Sequence, residues 1–70
     1  MKKEYLHLFG QNLKSIRTSK NLTQIELAEL GGFDRNYIGM LERGERNPSL
    51  LNLIRIAESL KIELTELLKF

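Results

Sequence analysis

TQIELAELGGFDRNYIGMLER, residues 23–43, holds two short helices and the turn between them. Thr23, followed three residues later by Glu26 at the head of an apolar periodic run, is a capping box that starts a helix. Ile25, Leu27, Ala28 and Leu30 continue it, and Gly31 and Gly32 offer the left-handed conformation that ends it. Asp34 is the natural N-cap of a second helix, in which Ile38 and Leu41 form an apolar stripe flanked by Tyr37 and Met40. Counting from Gln24, small Ala28 stands fifth, Gly32 ninth, Ile38 fifteenth and Leu41 eighteenth. A steep crossing needs a small residue where the helices touch, a turn residue free to take positive φ, and branched apolar groups on the inner face of the second helix. Any one of these suits an ordinary helical hairpin. All of them in register predict a helix-turn-helix, whose second helix fits the DNA major groove.

Outward from this motif every segment reads as helix or loop. Leu6, Phe9, Leu13 and Ile16 recur at helical spacing and predict a first helix over residues 5–19. Gly10 inside it costs about 1 kcal/mol relative to Ala, so either a neighbour crosses closely there or the helix starts late. Ser19, Lys20 and Asn21 connect to Leu22, a hydrophobic staple ahead of the Thr23 cap. The predicted helices of the motif cover residues 23–31 and 34–43. Gly44 stops the second of them, and Pro48 keeps its predecessor out of helix. Ser49 then caps a fourth helix, 49–60, with Leu50, Leu53, Ile54, Ala57 and Leu60 as its stripe and Lys61 at its end. Leu64, Leu67 and Leu68 suggest a short fifth helix over 64–69. The sole histidine, His7, has no Cys or second His nearby and reads as an exposed helix residue.

Composition narrows the function. Seventy residues enclose one core, and 41% hydrophobic with 29% charged residues describe a globular chain. The chain has no cysteine, one histidine and one aspartate, with no metal-ligand spacing and no Gly-rich phosphate loop. That inventory argues against an enzyme and implies no cofactor or metal. No apolar run approaches the roughly 20 residues that span a bilayer, and Glu4 and His7 interrupt any signal peptide. The expected location is the cytoplasm. Residues 1–46 carry eight Lys and Arg against six Asp and Glu, whereas residues 47–70 carry three of each. The basic excess therefore travels with the motif, as a nucleic-acid surface requires.

Apolar residues also outnumber the places that the helical stripes provide. Leu51, Ile62, Leu64, Leu68 and Phe70 are left over and predict a dimer interface near the C-terminus. An isologous contact there would serve two half-sites about 34 Å apart on DNA.

The strings LKSIR, LTQIELAEL, DRNYIGMLERGERNPSL and LIRIAESL, spread from Leu6 to Leu68, resemble the Cro and phage-repressor type of helix-turn-helix family. Within it, D-R-x-Y-I followed by E-R-G-x-R-N-P-S is similar to the small controller proteins of restriction-modification systems. The resemblance implies an all-α, compact, five-helix, lambda-repressor-like DNA-binding domain over residues 1–70. It also implies a homodimer that regulates transcription through palindromic operator DNA, with room for RNA polymerase as a partner and none for a membrane.

Residue by residue, the resemblance puts Arg35 and Asn36 against base edges, with Gly39 and Met40 one turn further along the exposed face. The chemistry agrees, since Arg suits guanine and Asn suits adenine. Thr23, Gln24, Tyr37, Arg43, Arg46, Asn47 and Ser49 fall where the family grips the DNA backbone. Arg17 and Glu42 resemble a structural ion pair joining the first helix to the end of the third, partly buried. Two other readings stand beside the controller: an antitoxin or phage-type repressor, and a helical protein-interaction module that has lost DNA. The module predicts no basic face around the third helix, against which Arg35, Asn36, Arg43 and Arg46 argue.

Overall fold

Five helices follow one another through short reversals: α1 (Lys3–Ser19), α2 (Gln24–Gly31), α3 (Tyr37–Glu42), α4 (Leu50–Leu60) and α5 (Leu64–Leu67). The computed structural model describes residues 2–70, and no strand occurs among them. Thr23 starts α2 through a capping box: its hydroxyl accepts from Glu26 N at 3.0 Å, and Glu26 Oε1 accepts from Thr23 N at 2.8 Å. Ser49 starts α4, its hydroxyl accepting from Asn52 N at 3.1 Å. Both caps satisfy amides that the first turn of a helix leaves without partners.

Four of the helices end alike. Asn21, Gly32, Gly44 and Lys61 take left-handed φ values of 59°, 71°, 74° and 57° just past α1, α2, α3 and α4. The next residue's N–H then bonds back to the closing turn: Leu22 to Arg17 O at 3.3 Å, Phe33 to Ala28 O at 2.8 Å, Glu45 to Met40 O at 2.9 Å, and Ile62 to Ala57 O at 3.0 Å. Each is a Schellman closure that spends the last carbonyls and turns the chain sharply.

The core takes Phe9 and Leu13 from α1, Leu27 and Ala28 from α2, and Ile38 and Leu41 from α3, with Leu53, Ile56, Ala57 and Leu60 from α4 and Leu67 from α5. Helix α1 lies against α3 and α5, while α4 lies against α2 and α5, so the α2–α3 pair is held from two sides. Gly10 marks the close crossing that its place in α1 demands. A Cβ there would sit 2.6 Å from the carbonyl oxygens of Leu41 and Glu42, and α1 starts at Lys3 rather than late. The radius of gyration, 10.5 Å, matches the roughly 11 Å of a single folded unit of this length. No helix of the described residues is long and apolar enough to cross a membrane.

Three details differ from the sequence-based expectation. Helix α3 begins at Tyr37, not Asp34, because Asp34 first closes a turn: its Oδ1 accepts from Asn36 N and its carbonyl from Tyr37 N, both at 3.0 Å. Arg35 and Asn36 therefore stand in the turn ahead of the helix. The buried stripe of α4 is Leu53, Ile56, Ala57 and Leu60, whereas Leu50 and Ile54 are exposed. Helix α4 carries apolar residues on two adjoining strips, and only the strip facing α2 and α5 enters the core. Helix α5 stops at Leu67, where Asn12 Nδ2 reaches across from α1 to the carbonyls of Leu67 (2.7 Å) and Glu66 (3.2 Å).

Candidate nucleic-acid interface

A buried ion pair anchors the second helix of the motif. Arg17 on α1 grips Glu42 at the end of α3 with both arms of its fork, Nε to Oε2 at 2.6 Å and Nη2 to Oε1 at 3.0 Å. The side chains are 9% and 3% exposed. Arg17 Nη1 also donates to the Leu22 carbonyl at 2.7 Å, and Gln24 Nε2 donates to Glu42 Oε1 at 2.9 Å. The carboxylate is thus neutralised and turned inward, away from the surface where it would repel a polyanion. The Leu22 and Gln24 bonds tie the same centre to the start of α2, which fixes α2 and α3 relative to each other.

On the outer side, Gln24, Ile25, Arg35, Asn36, Gly39, Met40, Arg43 and Glu45 line one open depression. Arg35 and Asn36 are exposed, and among the described residues neither side chain has a hydrogen-bond or ion-pair partner in the fold. An unengaged guanidinium and an unengaged amide, side by side at the mouth of α3, offer the donor and acceptor patterns that guanine and adenine edges match. Met40 is half-buried beside them, and the exposed Ile25 adds an apolar contact that suits a thymine methyl.

Two residues expected here behave differently. Gly39 is buried rather than on the exposed face, because Gln24 and Arg43 fold over it: a Cβ there would lie 3.0 Å from Gln24 Oε1 and 3.1 Å from Arg43 Nη1. Gln24 commits its amide nitrogen to Glu42, so its free end is the carbonyl oxygen, an acceptor that a phosphate cannot use. Its remaining N–H and the first amides of α2 are the donors left for an anion.

Glu45 was not among the expected site residues. It faces Arg43 in an exposed fork, Nε to Oε2 at 2.7 Å and Nη2 to Oε1 at 3.2 Å. This hydrogen bonding holds the Glu45 carboxyl below the usual range and raises the Arg43 guanidinium. Arg43 therefore meets a ligand with a carboxylate already in hand. Arg46 lies over the Tyr37 ring, 5.8 Å from its centre, with Nη1 3.9 Å from the Met40 sulfur. Asn47 is exposed, beside buried Pro48.

Thr23, Tyr37 and Ser49 share a property. Each hydroxyl accepts a hydrogen bond from within the fold, from Glu26 N, Asn52 Nδ2 and Asn52 N respectively, and has its own proton left to donate. Phosphate oxygens, which only accept, suit such donors.

The leftover apolar residues divide. Leu51, Leu68 and Phe70 are exposed, at 64%, 39% and 47%, with Leu50 and Ile54 beside Leu51 on α4. Ile62 and Leu64 instead pack partly against the core, and the Phe70 ring meets buried Phe9 edge-on at 6.3 Å.

Comparison with known proteins bears on all of this. Residues 13–67 match the model of the HTH_3 family, described as helix-turn-helix. Control protein C.SmaI of Serratia marcescens is 43% identical over 61 residues, 87% of this chain and 73% of that protein. Control protein C.BamHI of Bacillus amyloliquefaciens is 44% identical over 64 residues, 90% and 79% of the two chains. The crystal structure of the restriction-modification controller protein C.AhdI from Aeromonas hydrophila superposes with a TM-score of 0.87 at 52% identity, over 89% of this chain and 94% of that one. With five helices, a helix-turn-helix at α2–α3 and a family match across most of its length, this chain belongs to the helix-turn-helix family and is similar within it to restriction-modification control proteins.

Proposed function

We propose that the chain is a dimeric, sequence-specific DNA-binding transcriptional regulator, the autoregulatory controller of a restriction-modification system. The observation that carries this is the pair Arg35 and Asn36, exposed at the mouth of α3 while Arg17, Arg43 and Arg55 are all engaged within the fold. Base edges supply the partners that the fold withholds. Around them Thr23, Tyr37, Arg43, Arg46, Asn47 and Ser49 hold the DNA backbone, with Gln24 donating through its remaining N–H.

The longest dimension of the chain is 27 Å, short of the roughly 34 Å between half-sites one helical turn apart. One copy therefore reads one half-site, and a palindrome calls for two. Leu51, Leu68 and Phe70, joined by Leu50 and Ile54, form the contact between copies, with Ile62 and Leu64 backing it. The regulator carries out no reaction of its own and works in the cytoplasm, where its operator lies. RNA polymerase is the further partner wherever that operator adjoins a promoter.

Selection from a randomised duplex pool, followed by fluorescence anisotropy at two salt concentrations, tests this. The expected result is a palindrome bound tightly, more weakly at higher salt, and about tenfold or more weaker per half-site for Arg35→Ala. Weak binding indifferent to sequence would sink the regulator reading in favour of a protein-interaction module.

A further inference from the structure

Arg55 and Asn52 lie on α4 outside its buried stripe, each half-buried. The Arg55 guanidinium is over the Phe33 ring at 4.3 Å, and its Nη2 donates to the carbonyls of Gly31 and, at 3.1 Å, Gly32. It thus caps the end of α2 and clamps the turn of the motif. Its Nη1 donates to Asn52 Oδ1 at 3.3 Å, and Asn52 Nδ2 donates to the Tyr37 hydroxyl oxygen at 3.0 Å. Phe33 in turn stacks on Tyr37, the ring centres 4.9 Å apart at 31°. Arg55 therefore reaches Tyr37 by two routes, the ring through Phe33 and the hydroxyl through Asn52.

The chain of hydrogen bonds has a direction. A guanidinium has donors only, so it selects the oxygen end of the Asn52 amide and leaves the nitrogen end for Tyr37. The Tyr37 oxygen is then an acceptor on the protein side, and its proton is left to donate away from Asn52. Polarisation along such a chain strengthens that last donor. Arg46, above the same ring, brings a positive charge to the same place. A hydroxyl donor beside a cation matches an oxyanion.

We propose that Arg55 and Asn52 are positioning residues that set the Tyr37 hydroxyl as a hydrogen-bond donor to a DNA phosphate, an inference that rests on the DNA-binding reading above. Neither residue touches DNA itself. Their role is to fix which way a proton points.

Asn52→Asp tests this with almost no change of shape. Aspartate keeps an oxygen for Arg55 but presents an acceptor to Tyr37, so the hydroxyl proton turns inward and is consumed. Affinity for the palindromic duplex recovered by selection is measured for the wild-type chain, Asn52→Asp, Tyr37→Phe and the double variant, with thermal unfolding of each. The new Asp–Arg55 pair should keep the unfolding temperature at or above the wild-type value. Asn52→Asp should lose about tenfold or more in affinity, the worth of one hydrogen bond to a charged group together with the repulsion of an added carboxylate. In the Tyr37→Phe background only the repulsion remains, and the loss should be clearly smaller.

Arg55→Lys provides a second arm. Lysine can reach a carbonyl, but it cannot stack on Phe33 and fork to Asn52 together. Its affinity should fall with the salt dependence unchanged, whereas Arg46→Ala should lower the salt slope by about one. Equal losses from Asn52→Asp in both backgrounds, or full affinity in Arg55→Lys, would overturn this inference alone. A wild-type chain that selects no duplex would overturn the DNA-binding reading and this inference with it.

Discussion

Arg17 and Arg55 show how differently two arginines of one chain can be read. Arg17 stands on the buried side of α1, and because Arg17 and Glu42 resemble a structural ion pair of the helix-turn-helix family, its partner was legible through resemblance. Arg55 sits among polar residues of an amphipathic helix and looks solvated; its targets, the carbonyls of Gly31 and Gly32, are atoms that every residue possesses and no pattern marks. Asn12 was hidden for the same reason. Removing Arg17 leaves Glu42 buried with only Gln24, so Arg17→Ala should cost about 3–5 kcal/mol in urea unfolding. The double variant Arg17→Met with Glu42→Leu should lose far less, since no orphan charge remains. Gly10→Ala gains up to about 1 kcal/mol of helix propensity, yet its methyl would meet two backbone carbonyls at 2.6 Å. The clash should win, and the variant should melt well below the wild-type chain.

Helix starts were legible where a side chain caps its own first turn, as at Thr23 and Ser49, because both partners lie within three residues. The start of α3 was not, since Asp34 serves the turn before the helix instead of the helix itself. The phase of α4 was misread because Leu50 and Ile54 continue its apolar pattern, and only tertiary packing separates the two strips. The capping box has a pH signature. The hydrogen bond from the Thr23 backbone N–H, the largest cause, lowers the Glu26 carboxyl below the usual carboxylate range. Its contribution is complete above the unfolded-state value of about 4.3 and is lost as pH falls through the lower folded value. Glu26→Gln keeps a capping acceptor without titrating, so its stability between neutral and acid pH should fall less steeply than that of the wild-type chain. At the other end of a helix, Lys61 holds a left-handed φ of 57° that costs a non-glycine residue about 1–2 kcal/mol. Lys61→Gly relieves this against about 0.4–1 kcal/mol of added unfolded-state entropy, so the melting temperature should rise by a few degrees.

On the proposed reading the whole molecule meets two opposed needs, a polar depression for DNA and an apolar strip for a second copy, and α4 would serve both through Asn52 and Leu51. Sedimentation should therefore find dimers that Leu51→Glu converts to monomers, with the fold intact because Leu51 is 64% exposed. The Schellman closures carry a consequence for the order of events in folding. Reversals at Asn21, Gly32, Gly44 and Lys61 turn the chain back within a few residues, so the main packings, α1 on α3 and α2 on α4, skip only one helix, a modest separation typical of helical domains that fold within microseconds to milliseconds. The contact of α1 with the C-terminal end reaches much further along the chain, the Asn12 bonds to the carbonyls of Glu66 and Leu67 spanning 54 and 55 residues. Contacts of that separation form after the local ones, so Asn12→Ala should leave the folding arm of a stopped-flow chevron in place and speed the unfolding arm. The amide of Asn12 would then be a latch, closed last and opened first.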